Sequence, residues 1–388
     1  MQKTHITLPL FIICFYGLMP ILSSSEHSAY FQDVFMVLPI QLWTILVYKR
    51  ISLTKNVWIY MGLFISAFIS TFFSDYVQIE STIISYLLLC LITIIFAGFQ
   101  YTEDDIKRFI NFYVLYGLIC SVCIILSWFF EFEYQWNRYS LDIVGLHKNP
   151  NYINNIILLA MAFVLHRLIR KEGNPLINIF YCIVMCASVF LTATRAAFLC
   201  IIVLCMFSIL YILIIKKRFL YIFLFGIFAA GAYAFFVNFI PPVIVNRLTS
   251  DMMNDSSRLF MWENALKELW KQPVLGMGLS GVTAYNTTIS SVEAIHNVLL
   301  QFLCDQGIIG GILFILLLLS ILNRVKKNDR ILFALMIIAL FVPIMFQNGT
   351  VSFTFWWPLA LLEIFSNVSL RCGIYGRQEK TIGIDERL

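Results

Sequence analysis

Three basic side chains in this sequence are of the types and in the positions to do chemistry: Arg195, Arg258 and His296. A guanidinium is the natural ligand for phosphate or pyrophosphate, because its planar fork meets two oxygens at once. An imidazole is the side chain best suited to take a proton near neutral pH. Two Arg and one His could therefore bind an anionic leaving group and activate a hydroxyl. Each also has a plainer reading. Arg195 follows Thr192-Ala193-Thr194 in a very short turn between two apolar runs, where an Arg can simply snorkel to lipid headgroups. Arg258 falls in the first turn of an expected helix, where a cation opposes the helix dipole at a cost of roughly a few tenths of a kcal/mol. That cost makes sense if an anion binds there, since helix N-termini favour phosphate; otherwise Arg258 is a surface charge. His296 opens an apolar run, a common place for an interfacial polar residue, and Glu293 three residues earlier could hold its ring.

The elements that must position these residues follow from composition. The chain has 388 residues, of which 60% are hydrophobic and 13% charged, whereas soluble domains sit near about half and a quarter. Apolar runs fall at about 6–24, 28–48, 57–74, 82–100, 109–131, 152–169, 176–194, 196–215, 219–240, 296–322, 331–347 and 353–370. Each is long enough to approach or reach a span of about 20 residues. Lipid offers the backbone no hydrogen-bond partner, so each must be a helix. The expected fold is therefore all-α: a polytopic integral membrane protein of about twelve transmembrane helices. It is read as one domain over residues 1–388, with a large outer loop at 241–295 and a cytoplasmic tail at 371–388. The first run lacks a small-residue cleavage site and is read as a retained span.

Orientation comes from the basic residues. With the N-terminus inside, twenty of the 27 Lys and Arg lie in the inner segments, and only Arg138, Lys148, Arg195, Arg247, Arg258, Lys267 and Lys271 lie outside. That bias puts both termini in the cytoplasm. The net charge of +5 serves topology in this way and does not argue for nucleic acid. Nine of the ten Cys lie in apolar runs, so Cys120-x-x-Cys123 reads as helix packing. No His, Cys and Asp cluster has metal-ligand spacing, and no cofactor is expected. Asp104-Asp105 stands on the cytoplasmic side, away from the three basic residues.

The outer loop carries its own helix. Residues 256–271 read as amphipathic, with Leu259, Trp262, Leu266, Leu269 and Trp270 as an apolar stripe. Asp255 or Ser256 can cap it, Pro273 ends it, and Gly276, Gly278 and Gly281 are expected to form a flexible return. The Trp residues suit a helix lying at headgroup depth. After His296-Asn297, the run Gly307-Ile308-Ile309-Gly310-Gly311 is expected to let a neighbouring helix approach closely.

Taken in order, these residues resemble the O-antigen ligase and polymerase superfamily of bacterial surface-polysaccharide enzymes. Arg195-Ala196-Ala197-Phe198-Leu199 resembles its Arg-x-x-x-Leu element. His296-Asn297, nine residues and Gly307-x-x-Gly310 resemble its His-Asn-x9-Gly-x-x-Gly element. Arg258 with Trp262, then Pro273-Val274-Leu275-Gly276-Met277-Gly278, is similar to the stretch between them. Gly145-Leu146-His147-Lys148-Asn149-Pro150-Asn151 resembles an Asn-Pro-Asn segment of many members. The likeness covers about residues 145–311. It implies a glycosyltransferase of the bacterial inner membrane that moves a glycan from undecaprenyl pyrophosphate to an acceptor hydroxyl on the outer face. In that role Arg195 and Arg258 would bind pyrophosphate and His296 would be the catalytic base. The implied partners are a lipid-linked oligosaccharide donor, a glycan or lipid A–core acceptor, membrane lipid, and a chain-length regulator or flippase. The Asn-Pro-Asn segment favours a polymerase of repeat units over a ligase to lipid A–core. A transporter or flippase is the non-enzyme alternative. It would call for ionisable groups at mid-membrane and a duplicated half; Asp33 and Asp305 stand inside runs, but no duplication is visible.

Overall fold

The computed structural model describes residues 54–75, 79–130, 133–134, 138–140, 142–143, 146–147, 149–214, 256–289, 295–346 and 353–375, together with a few isolated positions. Eleven α-helices lie among them: α1 (Val57–Phe72), α2 (Ile79–Gly98), α3 (Glu103–Phe129), α4 (Pro150–Arg170), α5 (Pro175–Leu191), α6 (Arg195–Ile214), α7 (Ser256–Lys271), α8 (Gly281–Ile289), α9 (Val298–Asn323), α10 (Arg330–Ile344) and α11 (Phe353–Arg371). All but α7 and α8 sit on apolar runs read from the sequence. The runs at 6–24, 28–48 and 219–240 fall outside the described residues apart from isolated positions, as do Asp33 and Glu293. By length and composition, α3, α4, α6 and α9 can each cross a membrane, and α1, α5 and the Ile83–Gly98 part of α2 are shorter apolar helices.

Helix α4 is the hub. It packs against α3, α5, α6 and α10, and its residues from Ile156 to Val164 are almost wholly enclosed. The outer faces of the surrounding helices are apolar. Ile119, Val122 and Leu126 of α3, and Ile308, Ile312, Ile315 and Leu319 of α9, form exposed stripes at helical spacing. Stripes of that kind are a liability in water and the natural surface in hydrocarbon. Cys120 is buried against the core and Cys123 packs beside it, both as free thiols.

Side-chain contacts fix which helix ends meet. At one end Asn56, just before α1, donates to Glu363 of α11 at 2.7 Å, and Arg324, just after α9, pairs with the same carboxylate at 2.8 Å. Glu363 is thus a fully buried acid within a run, held by a charge and an amide. Arg371 reaches the Tyr101 carbonyl before α3, and Arg170 at the end of α4 reaches the Asn328 carbonyl. Asp329 accepts from Ser369 and from the Ile374 and Tyr375 amides. Successive helices alternate in direction, so the opposite end gathers the end of α1, Arg138, the turn between α5 and α6, and the start of α9.

Two features depart from the sequence reading. The 133–147 segment holds two small antiparallel ribbons, Glu133–Tyr134 (β1) with Arg138–Tyr139 (β2), and Asp142–Ile143 (β3) with Leu146–His147 (β4). And Gly276, Gly278 and Gly281 do not make a flexible return: Gly281 starts α8, while residues 273–278 are locked against α9.

Candidate functional site

His296 is set by its two neighbours. Asn297 is the N-cap of α9: its side chain accepts from the Leu300 amide at 3.0 Å, and its carbonyl takes the first helical bond, from Gln301, at 2.9 Å. The helix therefore opens two residues later than the apolar run suggests. His296 falls just outside it, half-buried, with φ of 51°. His tolerates this left-handed region better than most residues. Ile295, before it, is buried, and its carbonyl accepts from Trp262 Nε1 of α7 at 2.7 Å. The dipeptide His-Asn thus divides its labour: the Asn starts the helix, so that the His stays outside it.

Below this turn, α9 is broken at Gly307, where φ is 62° and ψ −163°. An intact helix would bond the amides of Ile308 and Ile309 to the carbonyls of Cys304 and Asp305. Here those amides go to Pro273 and Val274 at 2.9 and 3.4 Å, and the freed carbonyls accept from Met277 and Gly278 at 2.7 and 3.0 Å. The 273–278 turn is thus inserted into the helix, and the two amides and two carbonyls that the break frees all find backbone partners, as a non-aqueous setting demands. The glycines make the approach. A Cβ on Gly276 would lie 2.5 Å from the Cys304 carbonyl oxygen, and one on Gly307 would lie 2.4 Å from that of Val274. The sequence reading expects Gly307 to admit a neighbouring helix and Gly276 to lie in a flexible return; both instead admit backbone. The end of α1 seals the joint: Ser70 Oγ donates to the Asp305 carbonyl at 2.6 Å, the Gly278 and Leu279 amides donate to Ser70 and Thr71, and Ser74 bonds the Met277 carbonyl.

Helix α7 runs over Ser256–Lys271, as the spacing predicts. Its apolar stripe, however, splits in two. Trp262, Ala265 and Leu269 pack with Met277, Val282, Ile295 and Cys304 in a small second core, whereas Leu259, Leu266 and Trp270 point outward, Trp270 being 75% exposed. Both sets recur at helical spacing, so one helix can grip the protein and still present an apolar face. Arg258 stands in the first turn of α7, one turn before Trp262.

Arg195 is the first residue of α6 and half-buried. The turn before it is held by a web of side chains. Asn154 donates to Thr192 Oγ1 at 2.8 Å, and that hydroxyl donates to the Val189 carbonyl at 2.7 Å. Ala193 takes φ of 48°. Arg138 of β2, enclosed to 8% exposure, donates from Nε to the Thr192 carbonyl at 3.0 Å. From Nη2 it donates to Thr194 Oγ1 at 2.9 Å and to Asn151 Oδ1 at 3.0 Å. The Asn-Pro-Asn segment is legible here. Asn149 caps α4 by accepting from the Asn151 amide, Pro150 takes the first helical position, and Asn151 holds Arg138. Arg138 was counted among the outer cations by the charge bias but given no part; its place on the outer side, against that bias, was the available signal.

The structure therefore brings the Arg195 turn, the α7 helix that carries Arg258, and the His296 turn to one end of an all-α bundle whose outer faces are apolar. These features define a multi-pass membrane protein. Residues 180–315 match the family described as O-Antigen ligase (Wzy_C), which supports the O-antigen ligase and polymerase superfamily for this chain. The matched stretch contains Arg195, Arg258, His296 and the whole 273–309 exchange. None of the curated proteins compared with the chain matches it.

Proposed function

We propose that this protein transfers a glycan from undecaprenyl pyrophosphate to an acceptor hydroxyl at the outer face of the bacterial inner membrane, as a polymerase of surface-polysaccharide repeat units. The observation that carries the reading is the gathering of Arg195, the Arg258-bearing helix and His296 at one end of the bundle, within the matched family stretch. Arg195 and Arg258 neutralise the departing pyrophosphate, charge that fixed donors stabilise well in a water-poor site. His296 takes the proton of the attacking hydroxyl as the anomeric carbon–oxygen bond to pyrophosphate breaks. The lipid pyrophosphate leaves with its charge, and the acceptor oxygen becomes the new glycosidic oxygen. The outward face of α7 lies at headgroup depth, where a lipid-linked donor presents its anion. Twelve spans with both termini in the cytoplasm place the Lys- and Arg-rich end inside; the chain is one domain, with 241–295 as its outer loop and 371–388 as its tail.

Polymerase is preferred to ligase on the Asn149-Pro150-Asn151 segment, which the structure ties to Arg138. Deleting the gene and resolving surface polysaccharide on a gel tests the choice. A polymerase leaves a single short repeat on its acceptor and removes the ladder. A ligase leaves bare lipid A–core while lipid-linked polymer accumulates. An unchanged ladder rules out both, and accumulation of lipid-linked repeat on the inner leaflet identifies a flippase.

A further inference from the structure

We propose that Arg138 is the positioning residue for Arg195, acting through the Thr192-Ala193-Thr194 turn; this rests on the reading that Arg195 binds pyrophosphate. Arg138 itself is enclosed at 8% exposure and lies behind the turn rather than on it. Its guanidinium grips the turn on both sides of Ala193: Nε donates to the Thr192 carbonyl, and Nη2 to the Thr194 hydroxyl. Ala193 between them has φ of 48°, a region that an Ala side chain resists. Such a conformation persists only where its surroundings over-determine it. The Thr194 carbonyl takes the first bond of α6, from Phe198 at 3.0 Å, so the next residue, Arg195, inherits its direction from the turn. The third bond, to Asn151 Oδ1, anchors the grip on α4, the hub of the bundle. The chain of contacts thus runs from Asn149 and Asn151 through Arg138 and the strained turn to Arg195. This gives the Asn-Pro-Asn segment a physical task. A Lys at 138 keeps the charge but has no planar fork to span both sides of Ala193.

The test uses the full-length protein in lipid nanodiscs. Binding of undecaprenyl pyrophosphate and transfer from an undecaprenyl-pyrophosphate-linked oligosaccharide are measured side by side, with thermal stability as a third readout. Arg138→Lys is expected to weaken undecaprenyl pyrophosphate binding by roughly tenfold with little change in melting temperature. Adding Ala193→Gly should recover part of that loss, because Gly takes positive φ without help. Thr194→Val removes one acceptor at constant shape and should lose less than Arg138→Lys, and the two together should lose less than the product of the single losses. Wild-type affinity in Arg138→Lys, or a loss that Ala193→Gly leaves untouched, overturns the inference. Arg195→Ala separates the two claims. If it abolishes binding while Arg138→Lys binds normally, only the positioning role fails. If Arg195→Ala binds as wild type, the pyrophosphate reading fails and takes the positioning role with it.

Discussion

The Arg195 turn and the His296 turn sit at the same end of the bundle and are fixed in opposite ways. Around Arg195 the backbone is ordinary helix on either side, and side chains hold the single strained residue: Arg138, Asn151, Asn154, Thr192 and Thr194. The His296 turn is capped by the Asn297 side chain and tied to Trp262, but α9 below it, at Gly307, is fixed by backbone. There the 273–278 turn takes over the hydrogen bonds of one turn of α9, and the carbonyls and amides of the two segments satisfy one another. The first device tolerates small changes in any one partner, since several bonds share the load. The second tolerates none at its closest points, because backbone cannot step aside. A side-chain web suits a ligand that must be oriented, while a backbone graft suits a residue that must stay at one depth in a membrane.

The sharpest way to break this contrast is Gly307→Ala. Its Cβ would meet the Val274 carbonyl oxygen at 2.4 Å and the Gly276 amide nitrogen at 2.7 Å, on a residue with φ of 62°. The strained φ and the overpacking together should cost roughly 3 kcal/mol or more. Melting in detergent should fall steeply and transfer should vanish. Normal melting in this variant would mean that α9 is not grafted as described. The next effect in size falls on chemistry alone. His296→Gln keeps a hydrogen-bonding group but no base, so transfer should drop by roughly 10²–10⁴, with abundance, melting and undecaprenyl pyrophosphate binding preserved. Arg195→Ala and Arg258→Ala should instead lose binding and transfer together, with Lys a poor replacement at either. Near-normal transfer by His296→Gln would leave that residue an orienting role only.

What the sequence makes legible follows the range of the interactions. Helices appear within two or three residues at most ends, because burial and lipid exposure both favour apolar side chains and the run length is local. Thr102 and Asp105 form a capping box at the start of α3, and Asn174 with Pro175 opens α5, all readable from adjacent residues. The α7 helix is legible to the residue, but its stripe divides because facing one core and facing outward both call for apolar groups. The graft is not legible: Gly276 and Gly307 each look like a loop or packing glycine until their separate segments are seen to pair. Arg138 is hidden for the same reason. Its partners stand 13, 54 and 56 positions away, so nothing in its neighbours marks it. Glu363 is passed over in the sequence reading, which names only Asp33 and Asp305 as acids within runs; its partners Asn56 and Arg324 show how a buried carboxylate is held there.

The smallest expected effect probes the seam between the two devices, where α7 touches the His296 turn. Trp262 donates from Nε1 to the Ile295 carbonyl at 2.7 Å, and the ring packs in the small core with Leu300 and Leu303. Trp262→Phe keeps most of that packing and deletes the donor. A carbonyl on a buried residue then loses a partner, worth roughly 1–3 kcal/mol. Part of this should appear as looser docking of α7 on α9 rather than as unfolding, because the break at Gly307 and its graft stay intact. Melting should fall by a few degrees at most. Turnover should fall by roughly tenfold, since the carbonyl lies one residue before His296. Undecaprenyl pyrophosphate affinity should fall less, because the Arg195 turn rests on α4 and does not depend on this bond. The measurement is turnover and affinity on the same nanodisc sample. If affinity falls as far as turnover, α7 serves the anion first, and Trp262 acts by setting Arg258 one turn away rather than by steadying His296.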